Sequence, residues 1–149
     1  MNDIQNNTAS QKPTILIIDD DASNLALVTD YLNEGDYEVL VAEDGTIGLE
    51  RASFAQPDLI LLDVLMPGID GFETCRRLKA DEKTQEIPVI FMTALADTEN
   101  KIRGFASGAV DYVTKPSQRE EVLARVDVHL RIRALTEQLE KANEALEKR

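Results

Sequence analysis

The chain is poor in the residues that build disulfides and zinc sites. Its 149 residues include one cysteine, Cys75, and one histidine, His129. A single cysteine cannot form an intramolecular disulfide, and the two residues together fall short of the usual ligand set of a structural zinc site. This composition is typical of a reducing compartment, so we expect a cytoplasmic protein.

Long apolar runs are missing as well. No stretch approaches the roughly 18 apolar residues of a membrane-spanning helix. Residues 1–13 also lack the basic start and apolar centre of a signal peptide. We therefore expect neither a membrane span nor a secretion signal, and we interpret residues 1–13 as a flexible N-terminal tail.

Positive charge is scarce before the last stretch of the chain. The formal net charge at pH 7 is -12, although residues 130–149 carry five basic and four acidic side chains. An acidic surface repels nucleic-acid phosphates and anionic lipids, so direct binding to nucleic acid or membrane is not expected. The same surface favours a bound cation.

Five short segments rich in Val, Ile and Leu recur along the chain with helix-like stretches between them. They are residues 14–18, 38–42, 58–62, 88–92 and 110–114. Several are apolar at nearly every position, which is typical of strands covered on both faces of a parallel sheet. The pattern predicts five β/α units in a doubly wound α/β sandwich, with strand order 2-1-3-4-5.

Apolar side chains at helical spacing predict the inward faces of three connecting helices. They are Leu25, Val28 and Leu32; then Phe72, Cys75 and Leu78; then Ile102 with Phe105. The last helix is predicted to begin with a capping box formed by Ser117 and Glu120, whose side chains would each accept from a free backbone amide.

A different apolar period begins near the end of the chain. Its positions are Val128, Ile132, Leu135, Leu139, Ala142 and Leu146, spaced 4, 3, 4, 3 and 4 residues apart. This is the period of a coiled coil, and it predicts a parallel homodimer. We divide the chain into the tail, a domain over 14–130 and a coiled-coil helix over 131–149 that continues the last helix toward an output domain. The alternative is an amphipathic helix lying on its own domain.

Acidic residues follow two of the predicted strands. Asp19, Asp20 and Asp21 come after the first strand, and Asp63 closes the third. In the predicted strand order these ends meet at the point where the order reverses, which is where α/β sheets bind ligands. Close carboxylates repel one another unless a hard cation such as Mg²⁺ lies among them. The alternative is helix capping, for which Asp21 and Ser23 are also suited.

Two further polar residues fall at strand ends. Thr93 ends the fourth strand and Lys115 ends the fifth, so a hydroxyl and an ammonium group are expected in the same crevice. After Asp63, the sequence Met66-Pro67-Gly68 predicts a tight turn that leaves the carboxylate at the top of the sheet.

With these motifs in order, the stretch from Thr14 to about Leu130 resembles the receiver domain of two-component response regulators. The matching motifs are Asp19-Asp20, LLDVLMPGIDG over residues 61–71, Thr93-Ala94 and Lys115-Pro116. The resemblance implies a flavodoxin-like fold. It also implies a signalling domain rather than an enzyme, with only self-phosphorylation from small donors and self-dephosphorylation.

The resemblance further implies a role for each site residue. Asp63 would accept a phosphoryl group from a histidine kinase or a histidine phosphotransfer protein. Mg²⁺, or Mn²⁺ in its place, would be bound by Asp20, Asp63 and the backbone carbonyl of Leu65, with Asp19 acting mainly through water. Lys115 and Thr93 would contact the phosphoryl oxygens.

The resemblance also implies how the signal leaves the site. Thr93 and Tyr112 would switch together and remodel the face built from helix four, strand five and helix five. The Lys115-Pro116 peptide bond would be cis. Leu65 and Leu95 are apolar at positions that tune dephosphorylation in receivers, so we expect slow hydrolysis of the phosphorylated form.

Three other functions compete with this interpretation. A haloacid-dehalogenase-like phosphatase would need a second Asp two residues after its nucleophile, where this chain has Leu65. A flavin-binding module would want an uncharged phosphate loop after the first strand, and the aspartates there repel phosphate. A degenerate receiver that serves only as a dimerisation scaffold is disfavoured because every motif is intact.

Overall fold

The computed structural model describes residues 12–148, in which five strands alternate with five helices. The strands are β1 (Thr14–Ile18), β2 (Glu38–Ala42), β3 (Leu59–Leu62), β4 (Val89–Thr93) and β5 (Asp111–Thr114). The helices are α1 (Ala22–Glu34), α2 (Gly45–Ala55), α3 (Gly71–Ala80), α4 (Thr98–Ala106) and α5 (Arg119–Glu147). The first eleven residues, which make up most of the predicted tail, lie outside this range.

All strands pair in parallel in the order β2-β1-β3-β4-β5, which confirms the predicted doubly wound sheet. Ile18 at the end of β1 lies beside Ala42 on one side and Leu62 on the other. The neighbouring strands therefore end almost level. This register brings the residues that follow β1 and β3 to one edge of the sheet.

The strands bury apolar side chains on both faces, as their composition predicts. Leu16, Ile18 and Phe72 belong to a core between the sheet and α2, α3 and α4. Ile15 and Val126 belong to a second core that is covered by α1 and α5. Alternate residues of one strand thus enter opposite cores, which leaves no solvated face on the central strands.

The prediction for the inward face of α4 is wrong. Ile102 and Phe105 are 63% and 51% exposed, and the buried residue of this helix is Gly104. A Cβ atom on Gly104 would lie 2.9 Å from a ring carbon of Tyr112. The helix therefore packs through a glycine onto an aromatic ring, and its apolar side chains face outward.

The predicted capping box is also wrong. The N-cap of α5 is Gln118, which makes no side-chain capping bond. The Ser117 hydroxyl instead donates to the carbonyl of Thr114 at 2.7 Å, and the helix begins at Arg119. Because the helix begins one residue later than the capping box requires, Ser117 lies before the N-cap position and does not cap the helix.

Helix α5 is one continuous helix of 29 residues, and only its first half lies against the domain. Val122 and Val126 are buried, and Arg133 donates to the carbonyl of Asp58 at 2.8 Å. His129 contacts the carboxylate of Asp111 at 3.0 Å. The helix is thus attached to the domain as far as Arg133 and projects beyond it.

Lys12 and Pro13 connect the start of the described chain to the sheet. Lys12 pairs with Asp36 at 3.2 Å, and the backbone amide of Glu38 donates to the carbonyl of Pro13 at 2.9 Å. Within residues 12–148, no helix is both long enough and apolar enough to cross a membrane.

Candidate functional site

The sheet itself fixes two carboxylates at its carboxyl edge. The backbone amide of Asp19 donates to the carbonyl of Ala42 at 3.0 Å, and that of Asp63 donates to Ile18 at 3.0 Å. Each aspartate therefore extends the hydrogen bonding of its strand by one residue. Oxygen atoms of Asp19, Asp20 and Asp63 lie within 4.8 Å of one another, so the structure brings these predicted residues together.

Asp63 is held in a nearly closed environment. The residue is 7% exposed, and its Oδ1 accepts from the backbone amide of Val64 at 2.7 Å. Gly71, the first residue of α3, packs directly on this segment: a Cβ atom there would lie 2.1 Å from the Asp63 carbonyl oxygen. Gly68 has a φ of 78°, the conformation that the predicted tight turn requires.

Lys115 bridges the two buried carboxylates. Its Nζ lies 2.8 Å from Asp19 Oδ2 and 3.1 Å from Asp63 Oδ2, and its side chain is 18% exposed. Burial by itself would lower the pKa of Lys115, but the hydrogen bonds to both aspartates outweigh it and raise the pKa. The ammonium group thus stays charged and close to both acids. The peptide bond to Pro116 is cis, as the resemblance implies.

Thr93 is fully buried at the end of β4, and its carbonyl accepts from the backbone amide of Lys115 at 2.8 Å. Its hydroxyl oxygen lies 3.4 Å from the backbone amide of Leu95, which donates to it. Tyr112 is turned inward, with its hydroxyl donating to the Leu95 carbonyl at 2.6 Å. Burial raises the pKa of this phenol. Thr93 and Tyr112 therefore meet at one residue of the loop after β4.

The third aspartate after β1 has a different role from its neighbours. Asp21 is the N-cap of α1, and its Oδ1 accepts from the backbone amides of Ser23 and Asn24. This confirms the capping interpretation for Asp21. Ser23 caps nothing with its side chain among the described contacts. Asp20 is the exposed member of the acidic cluster, and Leu65 is exposed in the loop after β3.

The donor set fits a hard divalent cation. Three carboxylates converge within one metal-sized space, and Asp20 leaves that space open to solvent. Mg²⁺ prefers oxygen ligands and keeps several waters, so a partly open group of acids suits it. A metal there would also offset the repulsion that a single ammonium group only partly neutralises.

One site residue was missed by the sequence analysis. Asn24, in the first turn of α1, donates from Nδ2 to Asp19 Oδ2 at 2.7 Å. The available signal was its position: the first turn after a strand end faces the crevice at the carboxyl edge of the sheet. An asparagine in that turn is also an ordinary helix-start residue, which hid the contact.

Residues 15–127 match the family described as the response regulator receiver domain. The chain belongs to this family. Receiver domains are signalling domains of two-component systems and pair with histidine kinases or phosphotransfer proteins. They bind Mg²⁺ at an acidic pocket, and an acidic cluster lies at the corresponding edge of this receiver.

Sequence relatives and solved structures agree with this assignment. The DNA-binding dual master transcriptional regulator RpaA of Synechocystis sp. is 51% identical over 119 residues, which is 80% of this chain and 49% of RpaA. The response regulator PleD of Caulobacter vibrioides is 43% identical over 125 residues, covering 84% of this chain and 28% of PleD. This receiver thus spans half or less of these two relatives.

A crystal structure of a putative response regulator from Chloroflexus aurantiacus superimposes with a TM-score of 0.78 at 37% identity, covering 80% of this receiver and 98% of that chain. The Klebsiella pneumoniae RstA receiver domain, described as BeF3-activated, gives a TM-score of 0.74 at 34% identity, covering 79% of this receiver and 98% of that chain.

Proposed function

We propose that this receiver accepts a phosphoryl group on Asp63 from a histidine kinase or a histidine phosphotransfer protein. The observation that carries the proposal is the position of Lys115, which contacts Asp63 and Asp19 together at the edge where the acidic cluster lies. Phosphoryl transfer needs positioning and charge neutralisation more than covalent help. One nucleophilic carboxylate, one ammonium group and one cation site supply both.

In this proposal Asp20, Asp63 and the backbone carbonyl of Leu65 bind Mg²⁺, and Asp19 acts through water. When bound, the metal offsets the charge of the incoming phosphoryl oxygens. Incubation of the chain with acetyl phosphate, followed by intact mass spectrometry, tests the proposal. A mass gain of one phosphoryl group is expected with Mg²⁺ and not with a chelator, and no gain with either would refute it.

The output is proposed to run through Thr93 and Tyr112 to the face formed by α4, β5 and α5. Both residues hydrogen-bond to Leu95, so a shift of the Thr93 hydroxyl toward a phosphoryl group changes the loop that Tyr112 holds. Ile102 and Phe105 on α4 and Val110 directly before β5 are exposed apolar residues. A ligand shifts such an equilibrium only by binding one state better.

A slow return to the unphosphorylated state is expected from Leu65. Its exposed aliphatic side chain offers no group to orient an attacking water beside Asp63. The Leu65→Glu variant is therefore expected to release phosphate faster, by about tenfold, since a positioned general base contributes at least that much. Release of phosphate from the purified phosphorylated chain gives the rate. Leu65→Met, which keeps an apolar side chain at the same exposed position, is the matched control, and equal rates in all three chains would contradict the role of Leu65.

We also propose that α5 joins two copies of the chain as a parallel coiled coil leading to an output domain. Val126 and Arg133 face the domain, while Val128, Ile132 and Leu139 are exposed on another side of the same helix. The apolar seam is thus free to meet a second copy without separating α5 from the sheet. The pairing also fits the 3.5-residue period of the seam.

The seam gives a direct test of this dimer. Leu139 is 62% exposed, so Leu139→Lys places a charge in the interface without touching the domain. We expect the mass measured by light scattering to fall from that of a dimer to that of a monomer, because an unpaired charge in a short seam outweighs the remaining contacts. Gln138→Lys adds the same charge one residue away, off the seam, and is expected to stay dimeric. Equal masses for the two variants would contradict the seam.

The phosphatase and scaffold alternatives receive no support from the site. The position two residues after Asp63 holds an exposed leucine, so this receiver has no acid there to protonate a leaving group. The acidic cluster and Lys115 are assembled in contact, which a degenerate site has no need to keep.

A further inference from the structure

The side-chain amide of Asn24 shares an oxygen of Asp19 with Lys115. Asn24 Nδ2 lies 2.7 Å from Asp19 Oδ2, and Lys115 Nζ lies 2.8 Å from the same atom. The other oxygen, Oδ1, accepts from the backbone amide of Asp21 at 2.9 Å. Asp19 is 2% exposed, so these donors take the place of solvent around its carboxylate. None of the roles assigned so far involves Asn24.

The two donors on Oδ2 respond differently to a cation. Lys115 is charged and touches two members of the acidic cluster, Asp19 and Asp63. A divalent cation entering the cluster repels this ammonium group, and phosphoryl oxygens on Asp63 attract it away from Asp19. The amide of Asn24 carries no net charge and is fixed on the first turn of α1. Neither event removes it from Asp19.

We propose that Asn24 is a positioning residue that keeps the Asp19 carboxylate oriented toward the cation when Lys115 leaves Asp19, whether the cation repels Lys115 or a phosphoryl group on Asp63 attracts it. The inference rests on the proposed function, since it requires a metal in the cluster. Without Asn24, the departure of Lys115 leaves a buried carboxylate oxygen with no donor, which is costly. Removal of a group that orients a metal-binding residue typically lowers metal affinity by about tenfold or more. We expect a loss of about tenfold when the amide of Asn24 is removed.

The variant Asn24→Leu removes the donor and nearly keeps the side-chain shape. Mg²⁺ affinity of the full chain is measured by isothermal titration calorimetry, with no phosphoryl donor present. We expect Asn24→Leu to bind Mg²⁺ about tenfold more weakly. Ser23→Ala, in the same helical turn and exposed, is the matched control and is expected to bind as the unsubstituted chain does. Unchanged affinity in Asn24→Leu would overturn the inference.

A double-mutant cycle separates positioning from a general structural effect. In the Lys115→Met background no ammonium group leaves Asp19 when the cation binds, so Asn24→Leu deprives Oδ2 of its donor in the free and the bound chain alike. Asn24→Leu is therefore expected to weaken Mg²⁺ binding by a smaller factor than it does beside Lys115. If Asn24→Leu weakened Mg²⁺ binding by the same factor in both backgrounds, Asn24 and Lys115 would act independently, and the inference would be overturned. Urea unfolding checks that each variant is folded, and Asn24→Ser replaces Asn24→Leu in the same cycle if the latter is not.

The outcome also separates this inference from the proposed function. If the unsubstituted chain binds no Mg²⁺, the proposed metal site fails and the role of Asn24 fails with it. If the unsubstituted chain binds Mg²⁺ and Asn24→Leu binds it equally well, only the role of Asn24 fails.

Discussion

The Asp63→Asn variant is expected to gain no phosphoryl group under conditions in which the unsubstituted chain gains one. In the proposed reaction an oxygen of the Asp63 carboxylate forms a bond to phosphorus. The bond between phosphorus and the acetate oxygen of acetyl phosphate breaks, and acetate leaves with the electron pair. The amide of asparagine has no anionic oxygen to attack and cannot form an acyl phosphate. Its size and shape are nearly unchanged, so the backbone contacts of Asp63 with Ile18 should remain.

Intact mass spectrometry after incubation with Mg²⁺ and acetyl phosphate gives the extent of phosphorylation. The matched control is Asp21→Asn, which makes the same chemical change at the N-cap of α1. Asparagine caps helices about as well as aspartate, so this variant is expected to gain a full phosphoryl group. Phosphorylation of Asp63→Asn to the level of the control would place the acceptor elsewhere and refute the assignment.

The fold could be predicted because the central strands β1, β3 and β4 are apolar on both faces. A side chain such as Ile15 enters one core and its neighbour Leu16 enters the other, so burial leaves a continuous apolar run in the sequence. The convergence of Asp19 and Asp63 then follows from strand order and register. β1 and β3 are neighbours and end level, so whatever follows them must meet.

Details that depend on tertiary contact were not in the sequence pattern. Ile102 and Phe105 have helical spacing, yet the packing face of α4 is Gly104, because the ring of Tyr112 occupies the space a side chain would need. Ser117 has the spacing of a capping box, yet the turn after β5 includes Ser117 and the N-cap of α5 is Gln118. The spacing of residues within a helix does not show which residues outside the helix pack against it or where the preceding turn ends.

The individual contacts among the polar site residues could likewise not be predicted from the sequence. The motifs place Lys115 at a strand end, but its bridge between two aspartates depends on how the loop after β5 turns toward β1 and β3. Asn24 reaches Asp19 only because α1 begins beside the end of β1. Such contacts join residues through loop geometry, which residue type and spacing alone do not encode.

The Gly71→Ala variant is expected to lose about 3 kcal/mol of the free energy of unfolding, near the upper end of the usual cost of overpacking. The added Cβ atom would lie 2.1 Å from the carbonyl oxygen of Asp63 and 2.7 Å from the Cα atom of Val64. Both obstacles are backbone atoms, so no side-chain rotation relieves them. Either α3 moves away from the sheet or the segment that carries Asp63 moves, and we expect Mg²⁺ affinity to fall together with stability.

Urea unfolding of the full chain measures the loss, and Gly68→Ala is the matched control. Gly68 has a φ of 78°, so alanine there is strained by about 1 kcal/mol. No heavy atom lies within 4 Å of its Cβ position, and the turn should keep its place. The two variants therefore separate backbone strain from steric displacement of the acceptor. If Gly71→Ala lost no more stability than Gly68→Ala and kept full Mg²⁺ affinity, the close contact between α3 and the Asp63 backbone would not be what positions the carboxylate.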